Sequence, residues 1–162
     1  IIGFNIGSAV PETRWPAERF ADVADYFGNK GYKTVFFGGP MDLDMVKPVV
    51  EQMKTKPIVA TGAFKLGPLA AAMKWCDLLI TNDSGPMHVA ISQGVTIVAL
   101  YGPSNPFFYG PYQAKSIVLE SMDHYEIGKS MKQVIKEGKY KGISVITEEQ
   151  VIKAAETLLQ ES

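Results

Sequence analysis

Six short runs of β-branched and aromatic residues, at 1–6, 33–37, 58–60, 78–81, 97–101 and 117–119, alternate with longer amphipathic stretches. Each run is apolar on both faces, which suits a strand in a parallel sheet with helices packed on either side; a sheet with one wet face would alternate polar and apolar residues. The alternation predicts successive βαβ units. It implies an α/β fold, a Rossmann-like three-layer α/β/α domain with a mostly parallel sheet of about six strands.

The intervening stretches carry helix signals. Residues 16–30 begin with Pro16 and place Phe20, Val23, Ala24 and Phe27 at i, i+3, i+4 and i+7. They stop before Gly31. Residues 42–54, 67–76 and 86–93 are the next crossovers, with Gly94 expected to terminate the last. Thr147-Glu148-Glu149-Gln150 is a capping-box pattern, followed by an apolar stripe of Val151, Ala154, Ala155, Leu158 and Leu159 that should pack back on the fold. Residues 102–115 and 121–143 read as loops with short helical pieces, and His124 in the second of these has no evident partner.

At 162 residues and 46% hydrophobic side chains the chain suits a single domain, residues 1–162, able to bury about 68–70% of its unfolded surface. One cysteine, Cys76, excludes a disulfide framework or a Cys₄ zinc site and points to a reducing compartment. A net charge of −1 offers no basic excess for nucleic acid, and no apolar run approaches the ~20 residues of a membrane span. The chain opens directly in strand-like sequence, Ile1-Ile2-Gly3-Phe4-Asn5-Ile6, so we expect a fragment of a longer protein.

Open α/β sheets bind ligands beyond the carboxyl ends of their strands, so the chemistry is sought in the loops that follow them. The strongest candidate is Thr81-Asn82-Asp83-Ser84-Gly85-Pro86-Met87-His88, which runs from a strand into a helix. Gly85 allows a sharp turn and Pro86 fits a first helical position. The amides around Ser84, Gly85, Met87 and His88 can converge on a phosphate. Asp83 either faces sugar hydroxyls or caps the helix. His88, near the positive end of the helix dipole, reads as a hydrogen-bond donor rather than a general base.

The loop after the first strand, Gly7-Ser8 to Arg14-Trp15-Pro16, combines small residues with a helix start, and plain turn chemistry explains it equally well. After the second strand, Asp42 and Asp44 are candidates for ribose hydroxyls, with N-capping as the rival reading. Phe64 and Lys65 border a possible base pocket, or else are a core phenylalanine and a solvated lysine. Ser104 is a further cap or donor after the fifth strand. The P-loop, G-x-G-x-x-G, H-E-x-x-H and G-x-S-x-G patterns do not occur.

These residues, taken together and in order, resemble the C-terminal half of glycosyltransferase family 9, the heptosyltransferases of lipopolysaccharide inner core, which have the GT-B fold. The resemblance rests on Gly7-Ser8, Arg14-Trp15-Pro16, Gly38-Gly39-Pro40, residues 69–84 (LAAAMKWCDLLITNDS), Gly85-Pro86-Met87-His88 and Tyr101-Gly102-Pro103-Ser104-Asn105-Pro106. It implies a single nucleotide-diphospho-sugar-binding domain that lacks an N-terminal acceptor domain and is inactive alone. The donor would be ADP-heptose, with no further cofactor and no metal. Ser8, Thr13, Arg14, Asp83, Ser84, Gly85, Pro86 and His88 would hold the donor and its diphosphate, and Asp42, Phe64 and Lys65 the nucleoside. The catalytic base and the lipopolysaccharide core acceptor would belong to the other half, in a cytoplasmic enzyme that meets the inner membrane peripherally.

Three positions depart from the family pattern. Thr13 stands where the family has a lysine, Met41 rather than Asp42 aligns with its ribose-contacting acid, and residues 121–143 lack its cysteines. The alternatives left open are a non-catalytic nucleotide-sugar-binding paralogue and another GT-B enzyme such as a sugar-nucleotide epimerase.

Overall fold

The computed structural model describes residues 1–122, 128–138 and 140–161. Six strands form one sheet: β1 (Ile2–Asn5), β2 (Thr34–Phe37), β3 (Ile58–Val59), β4 (Leu78–Asn82), β5 (Thr96–Tyr101) and β6 (Ser116–Glu120). Their order is β3-β2-β1-β4-β5-β6 and every neighbouring pair is parallel. The chain therefore starts mid-sheet, winds out to β3, then returns to place β4 on the other side of β1. The loops leaving β1 and β4 lead to helices on opposite faces at that reversal, the place where open α/β sheets generally hold their ligands.

The connections are α1 (Ala17–Asn29), α2 (Leu43–Gln52), α3 (Leu66–Met73), α4 (Gly85–Ser92) and the short α5 (Pro106–Tyr109), followed after β6 by α6 (Met131–Lys136) and α7 (Glu148–Gln160). Strand side chains divide by parity, as a pleat requires. Ile2, Phe4, Phe36, Leu78, Ile80, Val98 and Leu100 pack with α1, α2 and α7. Val35, Phe37, Leu79, Ile97, Ala99 and Tyr101 pack with α3 and α4. The α1 stripe of Phe20, Val23, Ala24 and Phe27 is buried as its spacing predicts, each large side chain contributing roughly 1.5–3 kcal/mol.

Helix ends follow the sequence signals. Gly31 and Gly94 have φ of +90° and +76° just beyond α1 and α4. Thr147 Oγ1 accepts from the Gln150 amide at 3.3 Å, while Gln150 Oε1 accepts from the Thr147 amide at 2.8 Å, so the capping box forms in both directions. Behind that cap α7 lies against α1, where Glu156 pairs with Lys30 at 2.5 Å and accepts from Tyr26 at 2.7 Å.

Two expectations need correction. The stretch from 42 to 54 begins as a 3₁₀ turn, Pro40–Asp42, before α2 proper. Burial on both faces fails at β3, where Ile58 and Val59 are 53% and 43% exposed. That strand is the sheet's edge and only two residues long, which leaves little ladder for another chain to extend. Residues 121–143 contain α6, and His124 lies outside the described residues. Among the described residues no helix is long and apolar enough to cross a membrane.

Candidate functional site

Two fully buried asparagines, each the last residue of a strand that is otherwise mostly apolar, organise the crevice between β1 and β4. Asn82 accepts from the Trp15 amide at 3.0 Å through Oδ1 and donates to the Ile6 carbonyl at 2.9 Å through Nδ2. It thereby fixes both ends of the β1–α1 loop to the end of β4. Asn5 Nδ2 shares its two hydrogens among the Ser84 Oγ at 2.8 Å, Thr81 Oγ1 at 3.1 Å and the Gly7 carbonyl at 3.2 Å. The loop pattern includes Asn82 without giving it a role and leaves Asn5 out. The available signal was an amide side chain closing each central strand, where a polar group must find a buried partner.

At the other wall of the crevice, α4 begins with its amides uncapped by any side chain. Ser84 occupies the N-cap position but makes no capping bond, and the first turn holds no acidic residue. Amides at such an end ordinarily lack a helical acceptor and concentrate the positive end of the helix dipole; here Pro86 has no N–H and the Met87 amide donates to the Ser84 carbonyl at 3.1 Å. Gly85 is exposed, and a Cβ built on it would meet no atom within 4 Å. Its φ is not positive, so glycine is not needed there for the turn. What its missing side chain preserves is open space above the helix end, as an arriving anion requires.

The neighbouring candidates fall into distinct places. Ser8 Oγ lies 2.6 Å from Thr13 Oγ1 and 3.3 Å from the Asp83 carbonyl, either of which can take its one proton, and this places the first loop beside the α4 entrance. Thr13 itself is 2% exposed and donates to the Val10 carbonyl at 2.8 Å, so its hydroxyl is turned inward. Arg14 is half-buried and donates from Nε to the Ser8 carbonyl at 2.8 Å. Among the described residues its terminal guanidinium nitrogens make no hydrogen bond. Trp15, part of the same motif, is core: its Nε1 donates to the Ile146 carbonyl at 2.9 Å and its ring meets Phe20 edge-on.

Asp83 is half-buried and His88 is exposed on the rim. Burial pushes the Asp83 carboxyl above its usual range, opposed by the Ser104 hydroxyl and the His88 ring. Asp42 Oδ2 accepts from the Gly39 amide at 2.8 Å, and its carboxylate occupies the space a Cβ on Gly7 would need, 2.3 Å away. It thus packs the loop after β2 against the loop after β1. Phe64 is 40% exposed rather than core, and Lys65 is the exposed N-cap residue of α3. Both follow β3, two strands and therefore roughly 10 Å to the side of β1. The structure brings together Ser8, Arg14, Asp83, Ser84, Gly85 and Pro86, sets Thr13 beneath them, packs Asp42 against Gly7 at their edge, and leaves Phe64 and Lys65 along the β3 side. Among the described residues no three His, Cys, Asp or Glu side chains cluster as a metal site would.

An open parallel sheet whose strand order reverses between β1 and β4 defines a Rossmann-type α/β domain, with the uncapped end of α4 at the switch point. The family model of glycosyltransferase family 9 (heptosyltransferase) matches residues 1–141, and the chain belongs to that family. It is similar to lipopolysaccharide heptosyltransferase 2 of Salmonella typhimurium, 31% identical over 99% of this chain and 47% of the relative. Among solved structures it resembles the glycosyl transferase family 9 protein of Veillonella parvula, at 83% identity and a TM-score of 0.95, covering 99% of this chain and 46% of that one. It also resembles E. coli ADP-heptose lps heptosyltransferase II, at 30% identity and a TM-score of 0.83, again with 99% and 46% covered. The chain spans about half the length of the relatives it matches, and its fold is that of one half of a GT-B heptosyltransferase.

Proposed function

We propose that this chain is the donor-binding half of a heptosyltransferase, holding an ADP-sugar whose heptose passes to a lipopolysaccharide core acceptor carried by the other half. The observation that carries the reading is the uncapped α4 entrance beneath the open face of Gly85, in a chain of this family. ADP-heptose is the donor named for the E. coli relative.

In the reaction an acceptor hydroxyl displaces the nucleoside diphosphate from the anomeric carbon. The new C–O bond forms as the old one breaks, and its electron pair stays on the departing phosphate oxygen. Preorganised amides at the start of α4 meet that growing charge, and one such donor commonly contributes on the order of 10²–10³ in rate. Arg14 supplies the nearby cation, while Asp83 and His88 border the donor sugar. Asp42, Phe64 and Lys65 line the nucleoside side, Ser8 and Ser84 flank the diphosphate, and Thr13 supports Ser8 from below. Charge neutralisation by amides and Arg14 leaves a divalent metal unnecessary. The base that takes the acceptor proton belongs to the other half, in a cytoplasmic protein that reaches its lipid-linked acceptor there.

Calorimetric titration of ADP, UDP and GDP, each with and without EDTA, tests this. ADP preference insensitive to EDTA is expected, and Arg14→Gln should weaken it. Absence of nucleotide binding, or strict metal dependence, would overturn the reading. A non-catalytic, nucleotide-sugar-binding role is favoured by one observation, the inward-turned Thr13 at the family's lysine position. Heptose transfer by the full-length protein separates the two, since the non-catalytic form would bind donor without turnover.

A further inference from the structure

We propose that Asn5 is a positioning residue that holds the Ser84 hydroxyl away from the start of α4, keeping the helix's first turn free of a side-chain cap where an anion would sit. A serine at an N-cap ordinarily turns its oxygen onto the amide of the second or third helical residue. The second here is Pro86, which has no N–H, so Met87 carries the amide that Ser84 Oγ would take. Among the described residues that amide donates only to the Ser84 carbonyl, at 3.1 Å, whereas at Ser130 the Gln133 amide meets both the carbonyl and the hydroxyl. The hydroxyl instead accepts from Asn5 Nδ2 at 2.8 Å and donates to the Asn82 carbonyl at 3.2 Å. Elsewhere among the described residues three such caps close: Thr147 on Gln150, Ser130 on Gln133 and Asn105 on Phe107.

Asn5 is built to hold this geometry. It is fully buried, and its amide nitrogen must face the Gly7 carbonyl, an acceptor that would repel the oxygen. Thr81 Oγ1 braces the same nitrogen at 3.1 Å. The price is a buried Oδ1 with no hydrogen-bond partner, an arrangement that disfavours folding unless the nitrogen's contacts are needed. Asn5 acts through Ser84 and does not itself touch the ligand, and the inference rests on the reading of α4 as the diphosphate site.

The test is a double-mutant cycle read by calorimetric titration of ADP into the 162-residue chain and its Asn5→Ala, Ser84→Ala and doubly substituted variants. Asn5→Ala should weaken ADP about five- to tenfold, the equivalent of one side-chain cap, and by less than about twofold once Ser84 is alanine. Equal weakening in both backgrounds overturns the proposal. Hydrogen exchange at the Met87 amide without ligand gives a second reading: already bonded to the Ser84 carbonyl, it should slow further in Asn5→Ala as the Ser84 hydroxyl turns to cap, and unchanged exchange also overturns the proposal. Should the unsubstituted chain ignore ADP, the donor-site reading fails while the Met87 exchange still decides the role of Asn5. Asn5→Ser, which keeps a hydroxyl near Thr81 but is too short to reach Ser84, serves if the alanine variant does not fold.

Discussion

Asn82 Oδ1 accepts the Trp15 amide at 3.0 Å and so joins the end of β4 to the entrance of α1 across 67 positions of sequence. Its Nδ2 holds the Ile6 carbonyl at 2.9 Å. Asn82→Ala strands both backbone groups in buried surroundings, where each unpaired group costs about 1–3 kcal/mol. Urea unfolding should report a loss of about 2–4 kcal/mol. A change below about 0.5 kcal/mol would mean that the loop satisfies these groups without Asn82.

Gly85→Asp should separate binding from stability. The new side chain enters open space, and a carboxylate in a helix's first turn is favourable by about 0.3–1 kcal/mol. The melting temperature should hold or rise, yet ADP affinity should fall at least about tenfold because the carboxylate occupies the anion's place. Unchanged ADP affinity would rule out the α4 entrance as the diphosphate site.

The raised Asp83 carboxyl gives stability a pH dependence. Burial keeps its proton on in the folded state at pH values where the unfolded chain, titrating near 3.8, has released it. Its contribution to stability is therefore present below that value and lost as pH rises through the higher native one. Asp83→Asn removes the titration while keeping the shape. The variant's melting temperature should match the parent's near pH 3.5 and exceed it at pH 7, to an extent tempered by the residue's partial exposure. A variant gaining stability toward acid would contradict the assignment.

Burial pushes the Cys76 thiol up to about 11. At pH 8 the native protein should resist a disulfide-exchange reagent, because the thiolate is both scarce and covered, and then release one equivalent on denaturation. Rapid labelling of folded protein would show that the β4 entrance opens without global unfolding.

Much of the candidate site was legible before folding was considered. The strand-to-helix passage from Thr81 to His88 lies where the loop pattern puts it, and Pro86 and Gly94 mark the two ends of α4 as expected. Those signals are local, since a helix start or stop depends on residues within a turn or two. Gly85 is not needed for the sharp turn its sequence suggests, since its φ is not positive; what the structure shows is open space above it. Asp42 suited either ribose or a cap, and its bond to Gly39 makes it a brace between two loops.

The amino-acid order alone determined six strands, their parallel sense and the faces of α1 and α7, because periodicity and capping act over a few residues. Only the tertiary structure decided which hydroxyl would leave its helix uncapped. Ser84 and its holder Asn5 are 79 positions apart, and Thr13 and Trp15 turn inward only once β1 lies beside β4. Hydrogen-bond partners compete at distances below 3.5 Å that only the packed chain defines, so the choice between a capped and an open helix end cannot be made locally.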